Sequence, residues 1–276
     1  MTYKTILVYL NDSRRAESVL EPAAELASRF NSHLIGFHAY SAVPASPIPM
    51  ASSALGSIVA AARTNSESIA DAFRRVTKGR PFVAEWELQK VPHVDLASIV
   101  LERGRTTDLI VAGQTDPDWD LSPLMDFPER LALESGRPVL VIPYAGRYST
   151  VGRRVLIAWK STREAARAVF DALPLLQGAK SVHILEIRGR AEDSETLMPD
   201  TSIAAALGRH GIKPEVRKSV TADISVGDEI LSRAADLNAD LLVMGAYGHA
   251  RFRELVFGGV TRQICRQMTL PTLFSH

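Results

Sequence analysis

The chain lacks most of what would tie it to a membrane, a nucleic acid or a covalent scaffold. Its formal net charge is +1 over 276 residues, so there is no global pull toward nucleic acid or an anionic lipid surface. Its single cysteine, Cys265, excludes an internal disulfide framework and suits a reducing compartment. Arg262 and Arg266 flank that cysteine, but no base accompanies it, so it reads as core filler. No apolar run reaches the roughly 18 residues that a membrane helix needs. Met1-Thr2-Tyr3-Lys4 leads straight into an apolar segment without a signal-peptide pattern, and the expectation is a cytoplasmic protein.

Several catalytic and metal patterns are missing too. There is no Walker loop, no Gly-x-Ser-x-Gly elbow and no Gly-x-Gly-x-x-Gly. The histidines, among them His33, His38, His93, His183, His210 and His249, show no metal-ligand spacing, and no metal site is expected from the protein itself. Asp116-Pro117-Asp118-Trp119-Asp120 resembles the start of a calcium loop. Leu121 and Phe127 stand where such a loop needs Gly and Glu, so the segment reads as a solvated acidic loop. No nucleophile–base pair is recognisable from spacing. No catalytic residue is assigned, and any ATP hydrolysis is expected to be slow and incidental.

What is present is a repeat. Thr5-Ile6-Leu7-Val8-Tyr9-Leu10-Asn11 runs on to Ala16 as Arg154-Val155-Leu156-Ile157-Ala158-Trp159-Lys160 runs on to Ala165. Asp108-Leu109-Ile110-Val111-Ala112-Gly113 matches Asp240-Leu241-Leu242-Val243-Met244-Gly245, and Pro138 matches Pro271. Two copies of one unit follow, one over residues 1–143 and one over 151–276, joined by the polar segment Tyr144 to Thr150.

Each copy alternates β-branched runs with helical patterns. Strands are expected near 5–10, 33–38, 82–88, 108–112 and 139–142, then near 154–158, 181–186, 214–218, 240–244 and 271–274. Helices are expected near 14–30, 53–78, 94–104 and 127–135, then near 162–176, 196–210, 224–237 and 259–268. Strands that are apolar along their whole length indicate a parallel sheet covered on both faces. The alternation makes each copy a doubly wound α/β sandwich. Ser13 and Ser161 are expected to cap the first helices, Ser161 and Glu164 having capping-box spacing. Val43 to Pro49 is a proline-rich loop before a long helix; a lid, a partner surface and a plain surface loop all fit it.

The feature richest in chemistry is a glycine ladder. Gly245-Ala246-Tyr247-Gly248 follows the apolar run Leu241 to Met244, and Gly258-Gly259 follows nine residues after Gly248. Strand, glycine turn, then glycines opening a helix bring free backbone N–H groups toward a phosphate. Gly245 is expected to let a ligand approach the backbone. The plainer reading is that these glycines only make turns. His249, Arg251 and Arg253 read equally as phosphate contacts or as an exposed basic loop.

This organisation resembles the universal stress protein family in its tandem form. The resemblance spans nearly the whole chain and is most specific at Gly-x2-Gly-x9-Gly, the family's ATP-site signature, here Gly245, Gly248 and Gly258. It implies two nucleotide-binding alpha hydrolase-like sandwiches, each of five parallel strands in the order 3-2-1-4-5. It further implies an adenine nucleotide, ATP or similar, with Mg2+ accompanying it, across the first and fourth strands of the second copy. The residues that would meet it are Trp159, Lys160, Gly245, Ala246, Gly248, His249, Arg251, Gly258, Gly259, Val260 and Thr261. A stress-response role through conformation or an unidentified protein partner, and a homodimer of tandem chains, are implied in the same way. The rival reading is an interaction protein without nucleotide; an ATP-using enzyme is a third.

The sequence departs from the family pattern at two points. Gly259 stands where a Ser or Thr is usual, and Lys160-Ser161-Thr162 replaces an Asp followed by Gly-Ser. Lys160 reads either as a point charge for phosphate or as a residue crowding the adenine–ribose end. In the first copy the ladder is degenerate. Gln114-Thr115-Asp116 follows Gly113, Met125-Asp126 stands where Gly258-Gly259 stand, and Asn11 takes the place of Lys160. Asp116 and Asp126 would repel a phosphate, so the first copy is expected to bind none.

Overall fold

A computed structural model describes residues 2–41, 52–91, 95–118, 127–189, 202–221, 224–246 and 259–276. The chain divides into two compact units, Thr2–Ser149 and Thr150–His276.

In the first unit the strands are β1 (Thr5–Tyr9), β2 (His33–Ser41), β3 (Ala84–Val91), β4 (Leu109–Gly113) and β5 (Val139–Ile142). All pairs are parallel, in the order β3-β2-β1-β4-β5. The helices are α1 (Ala16–Phe30), α2 (Ser52–Thr77), α3 (Leu96–Gly104) and α4 (Pro128–Glu134). In the second unit the strands are β6 (Arg154–Trp159), β7 (Ser181–Gly189), β8 (Glu215–Thr221), β9 (Leu241–Gly245) and β10 (Thr272–Ser275). They too pair in parallel, in the order β8-β7-β6-β9-β10. The helices are α5 (Arg163–Asp171), α6 (Leu173–Gln177), α7 (Ser202–Arg209), α8 (Val226–Asp236) and α9 (Gly259–Gln267). Each unit is the doubly wound five-stranded sandwich that the apolar runs predict.

The central strands are covered on both faces. Ile6, Leu7, Val8, Leu109, Ile110 and Val111 are buried in the first unit, and Val155, Leu156, Ile157, Leu241, Leu242 and Val243 in the second. The outer strand β3 is different. Val83, just before it, and Leu88 within it are exposed, and its charged residues alternate with apolar ones in the usual way of a sheet edge.

Strands one and four of each unit are held in register by the aspartate that precedes the fourth. The Asp108 carboxylate accepts bonds from the backbone N–H groups of Lys4 and Thr5 at 2.7 and 2.9 Å. Asp240 does the same for Arg153 and Arg154 at 3.2 and 2.7 Å. Both copies therefore use one device to align two strands remote in sequence.

Three local expectations are corrected. Thr162, not Ser161, caps α5; its hydroxyl accepts the Ala165 N–H at 3.3 Å. Ser13 does not cap α1, whose first turn follows Arg15 with no side-chain cap; the Ser13 N–H instead donates to Asn65 of α2 at 3.0 Å. The single helix expected over 162–176 is broken at Ala172 into α5 and α6. Pro174 has no N–H to give and its ring crowds the carbonyl four residues back, so a new helix starts with the proline in its first turn. Of the helix expected over 196–210, Ser202–Arg209 is present as α7 and residues 196–201 lie outside the described residues, as does the proline-rich loop 43–49.

Candidate functional site

The second unit has its topological switch point between β6 and β9. The chain leaves β6 toward β7 on one side, while β9 lies on the other. Loops at the carboxyl ends of two such strands diverge and leave a crevice. Here a crevice of about 190 Å³ opens at that point. This is more than ten times the roughly 10–15 Å³ of comparable space that one water requires.

Each wall has a local cause. β6 supplies Ala158 and Trp159, and the turn after it supplies Lys160 and Thr162. The turn is tight because the Thr162 N–H donates to the Lys160 carbonyl at 2.7 Å while its side chain caps α5. The first turn of α5 adds Glu164 and Ala165, and β9 adds Met244 and Gly245. Leu185 and Ile187 come from β7 and Val226 and Ile230 from α8. The start of α9 closes the crevice with Gly259, Val260 and Thr261. Gln263 of α9 reaches the α8 start, bonding Asp228 at 3.0 Å and Ser225 at 2.9 Å, and so fixes the two helix starts relative to each other.

The lining is mostly apolar, with a few polar groups from the β6 turn and the two helix starts. Lys160 is exposed at the rim. Glu164 is buried, and Arg163 bonds one of its carboxylate oxygens at 3.0–3.1 Å. Burial pushes the Glu164 carboxyl up, but its own backbone N–H, Arg163 and the nearby His276 outweigh that and hold it below the ordinary value. The carboxylate is therefore ionised at neutral pH.

The structure brings Trp159, Lys160, Gly245, Gly259, Val260 and Thr261 together around one crevice. Ala246 lies behind it, fully buried. Its N–H donates to the Ser275 carbonyl at 2.8 Å and its carbonyl accepts from His276 Nδ1 at 2.9 Å, so its backbone is already engaged. Gly248, His249, Arg251, Arg253 and Gly258 lie outside the described residues. Gly245 has a structural reason besides any ligand: a β-carbon there would lie 2.5 Å from the backbone of both Glu164 and Ala165. The close approach at this glycine is that of helix α5. Gly259 opens α9, and among the described residues a β-carbon there would meet nothing within 4 Å.

Sequence reasoning missed Glu164, Thr162 and the apolar walls. Signals existed for the walls. Leu185 and Ile187 share one face of a strand, and Val226 and Ile230 stand at helical spacing just after the Ser225 cap. Nothing in the spacing separates Glu164 from any acidic residue in a first helical turn. Cys265 is buried in α9, as core filler should be.

In the first unit different side chains stand at the aligned positions. Tyr9, aligned with Ala158, is buried and stacks on Phe127 with ring centroids 5.1 Å apart. Arg15, aligned with Glu164, donates to the Gln114 carbonyl at 2.8 Å and pairs with buried Asp12 at 3.4 Å. Asn65 of α2 donates to the Asn11 carbonyl at 3.0 Å and accepts from Ser13, so the long helix fastens this turn. Asp116 is described; Met125 and Asp126 are not.

Among the described residues no group of three or more His, Cys, Asp or Glu is placed to hold a metal ion, and no helix is long and apolar enough to cross a membrane.

Parallel strands in the order 3-2-1-4-5, with a crevice where the order of the second unit reverses, define a doubly wound α/β protein. Residues 153–276 match the model of the universal stress protein family. A universal stress protein of Synechocystis is 30% identical over 149 residues, covering 52% of this chain and 49% of that one. The match thus spans about half the length of that relative. A universal stress protein structure from Archaeoglobus fulgidus superposes with a TM-score of 0.73 at 16% identity, covering 98% of this chain and 95% of that one. A protein of unknown function from Pseudomonas aeruginosa gives 0.62 at 16% identity, covering 99% and 92%. At such identities these two structures speak to the fold. What the match shows is a universal stress protein domain over residues 153–276.

Proposed function

We propose that the second unit, residues 151–276, binds an adenine nucleotide, ATP or a close relative with Mg2+ accompanying it. In this reading the first unit, residues 1–143, binds none. The protein acts in the cytoplasm in a stress response, through conformation, a protein partner or pairing of two tandem chains. The observation that carries the reading is the convergence of Trp159, Lys160, Gly245 and the α9 start on one switch-point crevice. A ring fits against the apolar walls from β7, α8 and Trp159. A phosphate fits at the rim, where Lys160 and the N–H groups opening α9 favour negative charge. In the first unit Tyr9 and Arg15 stand where Ala158 and Glu164 line the crevice of the second, and Phe127 stacks on Tyr9, which supports one nucleotide per chain. No residue is assigned a catalytic step.

One observation favours a second reading, an interaction protein without nucleotide. Glu164 sets an ionised carboxylate in the lining, which opposes an anion beside it. Titration calorimetry with ATP and Mg2+, together with native mass spectrometry of gently purified protein, decides between them. Binding at one nucleotide per chain is expected. No binding at millimolar concentration, about −4 kcal/mol, would leave the second reading standing. Turnover of the bound nucleotide would instead mark an enzyme.

A further inference from the structure

Of the described residues lining the crevice, Glu164 is the acidic one. Its side chain is 10% exposed, whereas that of Arg163, which grips it from outside, is 77% exposed. The carboxylate is thus anchored on its outer side. It is fixed near Gly245, whose absent β-carbon would lie 2.9 Å from the Glu164 Cβ. An ionised carboxylate only accepts hydrogen bonds. Any group resting against it must donate, and a phosphate oxygen is turned away.

The crevice is therefore polarised. Lys160 and the start of α9 suit an anion, while Glu164, at the first turn of α5, demands a donor. The first unit makes the point in reverse. At the aligned position it carries Arg15, a donor already committed to the Gln114 carbonyl and Asp12.

We infer that Glu164 is a specificity-determining residue of this crevice, its carboxylate accepting a hydrogen bond from the non-phosphate end of the ligand. On a nucleotide that donor is a sugar hydroxyl or an exocyclic base amine. This inference rests on the nucleotide reading above. It adds to that reading a requirement for a ligand with an anionic end and a hydrogen-bonding donor end, and a residue that reads the donor.

The test uses the full chain and three probes in calorimetry: ATP, 2′,3′-dideoxy-ATP, which lacks the sugar donors, and ITP, which lacks the base amine. Each is titrated into wild type and Glu164→Gln, with circular dichroism and thermal unfolding as folding controls. Wild type should bind one of the two analogues about tenfold more weakly than ATP, as expected for a lost bond to a charged group. In Glu164→Gln that preference should shrink to about twofold. Which analogue suffers names the donor. The comparison is a double-mutant cycle between protein and ligand, so any general effect of removing a charge cancels. If wild type binds ATP but treats all three probes alike, or if the variant keeps the same preference, Glu164 reads no donor and the inference falls while nucleotide binding stands. If wild type binds none of them at millimolar concentration, the nucleotide reading fails and this inference fails with it. Should Glu164→Gln be unfolded, Arg163→Ala supplies the second variant. Loss of the outer anchor should blunt the same preference, and an unchanged preference in folded protein overturns the inference.

Discussion

Gly245 stands with its α-carbon against the peptide that joins Glu164 to Ala165. The end of β9 and the start of α5 touch there with no side chain between them. Gly245→Ala must force two backbones apart, since a β-carbon would sit 2.5 Å from main-chain atoms, and no rotamer change relieves that. We expect a loss of about 1–3 kcal/mol or more, seen in urea denaturation of the second unit. Unchanged stability would show that the contact yields.

Gly259 is the opposite case, because a β-carbon there meets none of the described residues within 4 Å. Gly259→Ser and Gly259→Asp should both fold. Asp in the first turn of α9 should even stabilise the helix by about 0.3–1 kcal/mol. If the α9 start holds phosphate, Asp should weaken ATP at least about tenfold by repulsion, and Ser should preserve or improve it. Calorimetry on the pair, with circular dichroism as control, checks both signs. Equal ATP binding by both variants removes phosphate from this helix start.

Arg15 joins the first turn of α1 to the end of β4. Arg15→Ala takes the donor from the buried Gln114 carbonyl and one of the cations from Asp12; Arg14 still pairs with that carboxylate at 2.8 Å. A destabilisation of about 1–3 kcal/mol is expected, measured by chemical denaturation. A neutral result would mean that water replaces the guanidinium.

His38 gives the first unit an acid limit. The ring donates from Nδ1 to the Leu10 carbonyl at 2.6 Å and lies 3.0 Å from the Ser66 hydroxyl. Burial lowers its pKa from 6.5 to about 4, against the opposing pull of the Leu10 carbonyl. Between those values the unfolded chain binds a proton that the folded one refuses. The stability contribution is therefore complete above pH 6.5 and is lost as pH falls toward 4, in total roughly 3 kcal/mol. Denaturation curves across that range should show the slope. His38→Gln, which keeps a donor, should flatten it while lowering stability at neutral pH.

The repeat, the parallel order and the switch point were readable from sequence because each rests on a pattern with its own period. Wholly apolar runs such as Leu109 to Ala112 and Leu241 to Met244 leave no solvent face for an open sheet. Where reading stopped, the reason is a third dimension. Ser161 and Thr162 are both good caps, and only the path of the turn selects Thr162. Pro174 could have warned of the break in α5–α6, since a proline that deep in a helix costs about 3 kcal/mol. That Gly245 serves helix packing, and that Tyr9 and Phe127 meet, depends on which residues the strand order brings together from far along the chain.

The two aspartate clamps bear on how the chain is assembled as it is made. β1 lies mid-sheet, and β2 and β3 can pair on one side of it soon after they emerge. Its other side has no partner until Asp108 has been synthesised, 104 residues after Lys4. In the second unit the wait is 87 residues, from Arg153 to Asp240. Over that interval the open edge of the central strand is exposed to pairing with the wrong chain. Closing so long a loop is an entropic cost met before its contacts form. Each carboxylate, by taking two N–H groups at once, acts as the latch that ends this vulnerable period, and it does so at the same place in both halves of the molecule.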